Sequence, residues 1–191
     1  MINVQNTLSA QELEKQKCPT LEMLGNNPTQ AQIEALTGVV AYNTLEDGQF
    51  LVYARFEEDE WELPPEEFTT STRHNQRILK FNSIQNHTLK SLAKWVVGSK
   101  RQMGLRGNSL RIACISIRSF LTWVESAPLR SKRDFDAFLA QEYVKHVDGL
   151  RIKRNGELQP LKPTSKTQRY LSLEELYRHG RMFDWVKEPL G

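Results

Sequence analysis

The sequence predicts a mainly α protein: a four-helix-type bundle over about residues 85–188, preceded by a small α+β region with a short antiparallel sheet. Three observations lead there. Apolar residues recur at helical spacing after Asn86, β-branched and aromatic runs flank a turn signal before it, and the charge changes sign between the two.

The 191 residues, 39% hydrophobic and 26% charged, suffice for one ordinary domain or for a small one joined to a medium one. No stretch approaches the roughly 18 apolar residues of a membrane span, and the polar start MINVQNTLSAQELEKQK lacks the apolar run of a secretory signal. A cytoplasmic protein with no membrane partner is therefore expected. Cys18 and Cys114 stand far apart without metal-ligand spacing, so both read as free thiols, Cys114 as a small core residue.

The elements follow in order. Ser9 and Glu12 form a capping box, and Thr29 to Leu36 reads as a short helix after Pro28, with loop between Cys18-Pro19 and Asn27-Pro28. Val39–Tyr42, Phe50–Phe56 and Glu60–Leu63 read as strands of one small sheet, the first two joined at Asp47-Gly48. Leu63-Pro64-Pro65 ends it, and Thr69 to Thr72 reads as a linker. The first long helix spans about 87–103, with Asn86 or Thr88 as its cap and Gly104 near its stop. A second, capped by Asn108 or Ser109, carries Leu110, Cys114, Ile117, Phe120, Leu121 and Val124 on one face and stops near Ala127-Pro128. A third opens at Asp134 and closes at Asp148-Gly149, with Phe135, Phe138, Tyr143 and Val147 inward. A basic hairpin or extended loop with Asn155-Gly156 at its tip follows, and a last helix runs from Thr164 to about Val186, with a break near Gly180. Each apolar stripe must be buried against the others, which makes a bundle. Trp95, Phe120, Trp123, Phe135, Phe138 and Tyr143 keep helical period and read as core rather than as stacking platforms.

The net charge of +3 conceals a strong asymmetry. Residues 1–68 carry 3 Lys/Arg against 13 Asp/Glu, net −10, and the remainder carries 23 against 10, net +13. This divides the chain into an acidic N-terminal domain, 1–70, and a basic helical domain, 71–191. The basic part has the electrostatic footprint of a polyanion binder, and double-stranded DNA is the expected partner. The acidic run Glu57, Glu58, Asp59, Glu60, Glu62, Glu66, Glu67 reads as a solvated loop, with docking against the basic half or a basic partner as the alternative.

Helical spacing sets the expected DNA contacts. Lys90, Lys94 and Arg101 form one stripe of the first helix, away from most of its apolar face. Arg111 and Arg118 lie two turns apart on the second, with Arg106 and Asn108 at its N-terminus, where free amides favour phosphate. Lys166 and Arg169 open the last. Lys132 and Arg133 are expected to flank a helix start and to matter less for binding than Arg111 and Arg118.

The run Arg77-Ile78-Leu79-Lys80-Phe81-Asn82-Ser83-Ile84, then Leu89-Lys90, Trp95, Ser109-Leu110-Arg111 and Ile117-Arg118-Ser119-Phe120-Leu121-Thr122-Trp123-Val124, resembles the core-binding region of phage-integrase-type tyrosine recombinases. Phe183-Asp184-Trp185-Val186 is similar to the hand-over to the catalytic domain. The likeness covers about residues 75–188. It implies a helical core-binding domain that clasps one side of recombination or transposition site DNA, as the N-terminal part of an integrase or transposase. The family's Arg, Lys, His, Arg and Tyr catalytic set would lie downstream, so the stretch itself is expected to be non-catalytic. Self-association on DNA would then operate through the full-length protein. Tyr42, Tyr53, Tyr143, Tyr170 and Tyr177 sit in core patterns, and His74, His87, His146 and His179 have no triad or metal spacing. Neither cofactor nor metal is implied. The competing class is a non-enzymatic helical interaction or regulatory module whose acidic part docks a basic partner; a complete small enzyme and an RNA binder lack their motifs.

Overall fold

A computed structural model describes residues 7–19, 28–126 and 137–180. The loop expected through residues 20–27, the Lys132, Arg133, Asp134 and Phe135 group and the Phe183–Val186 run lie outside the described residues, as does the side chain of Phe138.

The predicted capping box at Ser9 forms, and a second, at Thr29, caps the next helix. At α1 (Ala10–Gln16) the Ser9 amide donates to Glu12 Oε2 at 2.9 Å while the Glu12 amide donates to Ser9 Oγ; Thr29 and Gln32 repeat the arrangement at α2 (Gln30–Glu34). Strands β2 (Val39–Thr44) and β3 (Phe50–Arg55) make the expected hairpin, turned at Gly48 with φ 78°, and β1 (Thr7–Leu8) adds to β3. The third predicted strand does not join them. Instead β4 (Glu60–Glu62) pairs antiparallel with β5 (Ile78–Lys80), a strand absent from the sequence reading, in the register Trp61↔Leu79. Three residues are too few to show an alternation, so pattern alone does not reveal β5. The supposed linker, residues 69–72, leads through a 3₁₀ turn (His74–Gln76) straight into it.

Four longer helices follow. The caps of α3 (His87–Gln102) are as predicted: Asn86 Oδ1 accepts from the Leu89 amide at 3.0 Å, and Gly104 stops the helix with φ 97°. Then α4 (Gly107–Ser126) begins one residue before the predicted caps, which puts Asn108 inside its first turn. Next come α5 (Ala137–Gly149), the hairpin β6 (Arg151–Arg154) and β7 (Glu157–Pro160), and α6 (Pro163–Gly180). The helices α3 and α4 run antiparallel, since Glu125 near the end of α4 accepts the Gln85 and Asn86 amides just before α3 at 3.1 and 2.5 Å.

The described chain is therefore mixed α+β with a large helical share, and α3 is its middle layer. Every residue from Ser91 to Ser99 is buried. On one side Leu89, Leu92 and Val96 join Leu110, Ile117, Phe120, Leu173 and Leu176 of α4 and α6. On the other, Trp61, Leu63, Leu79 and Phe81 bring the β elements into the same core, and Gly98 leaves room for the Trp61 ring, whose nearest atom would lie 3.7 Å from an added Cβ. Trp61 itself is fully buried and meets Phe81 edge-on at 4.8 Å. One core and one strand pair thus span the position, near residue 70, at which the charge changes sign. A small satellite core holds Leu13, Val39 and Val52. Cys114 is buried as expected, and burial pushes its thiol up to about 12.

The charged contact in this packing centres on Glu67. Its carboxylate takes two bonds from the Arg101 guanidinium, at 2.8 and 3.1 Å, and one from the Gly107 amide at 2.9 Å, while Arg101 Nε donates to Val40 O at 3.0 Å. Gly107 has φ 50°, and a Cβ there would come within 2.2 Å of Glu67 O, so the start of α4 seats directly on this residue. Glu67→Ala strands a buried guanidinium and is expected to cost about 3 kcal/mol in urea unfolding, whereas the double change Glu67→Leu with Arg101→Met should restore most of that loss.

Candidate nucleic-acid interface

The basic stripe predicted on α3 does not face solvent. Lys90 Nζ lies 2.7 Å from Asp59 Oδ2; Lys94 Nζ lies 3.0 Å from Asp59 Oδ1 and donates to Glu57 O at 3.2 Å. Lys94 and Arg101 are only 6% and 7% exposed. The inference that the polar side of α3 is its outer side fails because a second layer covers that side. Among the described residues, all of the acidic run but Glu66 have a hydrogen-bond or ion-pair partner. Glu57 and Glu58 accept the Gly38 and Arg55 amides, Glu60 lies 3.3 Å from Lys80, and Glu62 lies 3.1 Å from His74 and 3.5 Å from Arg77. Asp59, Glu60, Glu62 and Glu67 thus meet cations of the basic half, while Glu57, Glu58, Glu60 and Glu66 stay exposed.

Part of α4 stays accessible. Asn108, Arg111, Ile115 and Arg118 lie at three- and four-residue steps along a side of α4 that flanks its buried stripe, Asn108 exposed and the other three half-buried. Beside them run the 3₁₀ turn and β5, and between helix and strand lies a polar trough. Its wider part, about 410 Å³, is lined by Glu67, Phe68, Thr69, Thr72, Gln76, Asn108 and Arg111, the Glu67 carboxylate being already taken by Arg101; its narrower part, about 130 Å³, is lined by Asn75, Ile78, Leu79, Lys80, Arg111, Cys114, Ile115 and Arg118. Arg111 belongs to both. It reaches Asn108 Oδ1 at 3.5 Å, and Arg118 donates to Lys80 O at 3.1 Å, which ties the helix to the strand. Among the described residues neither arginine has a carboxylate partner. Arg169 of α6 donates to Ser119 Oγ, next to Arg118, and so borders the same stripe.

Two predicted contacts are partly committed elsewhere. Arg106 folds back on the end of α3, donating to Arg101 O and Leu105 O, with half of its side chain exposed. Lys166 pairs with Asp148 at 2.6 Å, and Tyr170 donates to the same carboxylate at 3.0 Å; together they hold Asp148 below the usual carboxylate range. The trough thus gathers Asn108, Arg111 and Arg118 from the sequence reading, with Arg169 beside it. It adds Asn75, Gln76 and Lys80, which sequence reasoning missed. The Asn-Gln pair directly after the charge switch was the available signal, because amides beside arginines are the side chains that read base edges.

A larger hollow of about 570 Å³, between α3 and β2, is lined by Lys17, Cys18, Tyr42, Glu67, Arg101 and Arg106. Its cations are already answered, Lys17 by Glu14 and Arg101 by Glu67. Among the described residues no group of three or more His, Cys, Asp or Glu could hold a metal ion, and no helix is long and apolar enough to cross a membrane. Comparison of the chain with protein-family models, with curated proteins and with solved structures gives no match.

Asp59 carries a pH dependence. The hydrogen bond from Lys90 holds its carboxyl below the ordinary 3.8, with Lys94 adding to the effect and burial opposing it. A folded pKa below the unfolded one contributes stability that is present above the unfolded value and is lost as pH falls through the folded one. Asp59→Asn should therefore lower Tm at neutral pH and flatten the acid loss of Tm between about pH 5 and 3, followed by circular dichroism.

Proposed function

We propose that the chain binds duplex DNA through the α4 trough, as the core-binding part of a site-specific tyrosine recombinase of integrase or transposase type. The observation that carries this reading is the pair Arg111 and Arg118, both without carboxylate partners among the described residues, in a chain that neutralises Lys90, Lys94 and Arg101 internally. Seven residues along a helix put the Cα atoms that carry the two guanidinium groups about 10 Å apart, close to three base-pair rises of about 3.4 Å. Phosphates are the natural partners of these groups and would set register. Asn75, Gln76 and Asn108, lying in the same trough, are the side chains suited to base edges.

Further support comes from the likeness of the segment 77–124 to the recombinase core-binding pattern and from the antiparallel α3–α4 pair backed by α6. In this reading the N-terminal β elements brace the binding helix. They also keep the cations of α3 out of the interface. An interaction module with a free acidic docking surface is harder to build from the same residues, because Asp59, Glu60, Glu62 and Glu67 are already paired. DNA cleavage would belong to residues beyond this stretch.

Fluorescence anisotropy of the full chain with a mixed-sequence duplex at low salt tests the proposal. Arg111→Glu with Arg118→Glu should weaken binding at least about tenfold and reduce the slope of log K against log salt by about 2. Lys90→Gln with Lys94→Gln should leave affinity within about twofold while lowering stability. Binding by the parent protein that ignores salt, or an Arg111/Arg118 variant that binds like the parent, sinks the reading.

A further inference from the structure

We propose that the β6–β7 hairpin is a second contact on the same duplex, a cationic ribbon whose outward face takes the sugar–phosphate backbone; this rests on the DNA-binding reading above. The hairpin turns at Asn155 and Gly156, both at positive φ, 51° and 88°, the tight turn whose twist matches paired strands. Its register sets Arg151 opposite Pro160 and Lys153 opposite Leu158. Those four share one face, and Ile152, Gln159, Arg154 and Glu157 share the other.

The two faces differ in what they meet. Ile152 packs on the main core, Leu150 does so just before the ribbon, and Leu161 just after it is buried, so the ribbon is mounted firmly at its base. Arg151, Lys153, Leu158 and Pro160 are all exposed, Leu158 at 73%. Glu157, the one carboxylate of the ribbon, lies on the inner face at the tip, which leaves the outer face with cations and apolar groups alone. Among the described residues neither Arg151 nor Lys153 has a carboxylate partner; Arg151 reaches only the carbonyls of Gly149 and Leu150. This contrasts with the lysines and arginines that face the acidic elements, where pairing is the rule.

The shape and spacing favour duplex DNA among polyanions. A two-stranded ribbon is one of the two elements that a major groove about 12 Å wide admits. Arg151 and Lys153 are two residues apart on one strand, about 7 Å, or two base-pair rises. Leu158, across from Lys153, offers an apolar contact of the kind made with a thymine methyl. The ribbon also leads directly into α6, whose Arg169 touches Ser119 beside Arg118, so one helix links the ribbon's end to the binding helix.

The test compares full-length variants on a duplex of about three helical turns. Arg151→Gln with Lys153→Gln should bind about tenfold more weakly at low salt with the salt slope reduced by about 2, and Leu158→Ser about threefold more weakly with the slope unchanged. Hydroxyl-radical footprinting should show protection lost at one end of the site only, while melting by circular dichroism stays as in the parent. If both hairpin variants bind and footprint like the parent while the Arg111/Arg118 variant does not bind, the hairpin proposal is overturned and the trough reading stands. If the parent binds no duplex, both fall. Capture of the parent by phosphatidylserine vesicles through Arg151 and Lys153, without duplex binding, would overturn both in favour of a membrane surface.

Discussion

The structure depends on the neutralisation of α3. A helix with Lys90, Lys94 and Arg101 along one side cannot be a middle layer unless those charges find partners, because an unpaired charge in a protein interior costs several kcal/mol. Asp59 and Glu67 supply them. Asp59 serves two lysines one turn apart, and Glu67 joins Arg101 to the first amide of α4. The same two residues hold the β elements against the helices, set the end of α3 and fix where α4 begins. The apolar groups around them, Trp61 and Phe81 above all, can then close without a stranded charge. Long charged side chains also bring apolar stems, which is how Lys94 lies among Leu92, Val96 and the β elements while its ammonium reaches a carboxylate.

Local chemistry made most elements readable from the sequence. Ser9 with Glu12, Thr29 ahead of its helix, Asn86 as a cap and Asn155-Gly156 as a turn each act within three or four residues, and each is found where its type predicts. The apolar period of α4 likewise identified its buried stripe. The misses are all non-local. β5 exists because β4 is there to pair with it, not because three residues carry a pattern. The outward stripe was assigned to α3 as well as α4 because periodicity reports two faces but not what covers each. The acidic run reads as solvated because most of its partners are remote in sequence, from 12 residues for Glu62 and His74 to 40 for Glu67 and Gly107. Of the candidate site, the α4 residues and Arg169 were legible. Asn75, Gln76 and Lys80 were hidden by the same unrecognised strand.

The positive charge of the chain is thus sorted into two populations. Among the described residues, one part is structural, fastening the acidic elements, and another, along α4 and on the β6–β7 ribbon, has no carboxylate partner. A sequence-level excess of +13 after residue 68 says nothing of this division, since net charge speaks to association and not to fold. Counting cations would overstate the surface offered to a polyanion. Following the carboxylates shows which cations remain.

The pairing of β4 with β5 has a consequence for where the molecule can be cut. Charge invites a division at residue 70, yet that cut would leave Ile78–Lys80 as an unpaired edge, strip Trp61 from Phe81 and abandon the guanidinium of Arg101 inside an apolar layer. The smallest autonomous piece that can present the trough must therefore begin before Val40, whose carbonyl holds Arg101. In this chain the acidic segment is not an appendage to a basic module. It is part of that module's scaffold, and an exchange of such modules between proteins would have to carry both together.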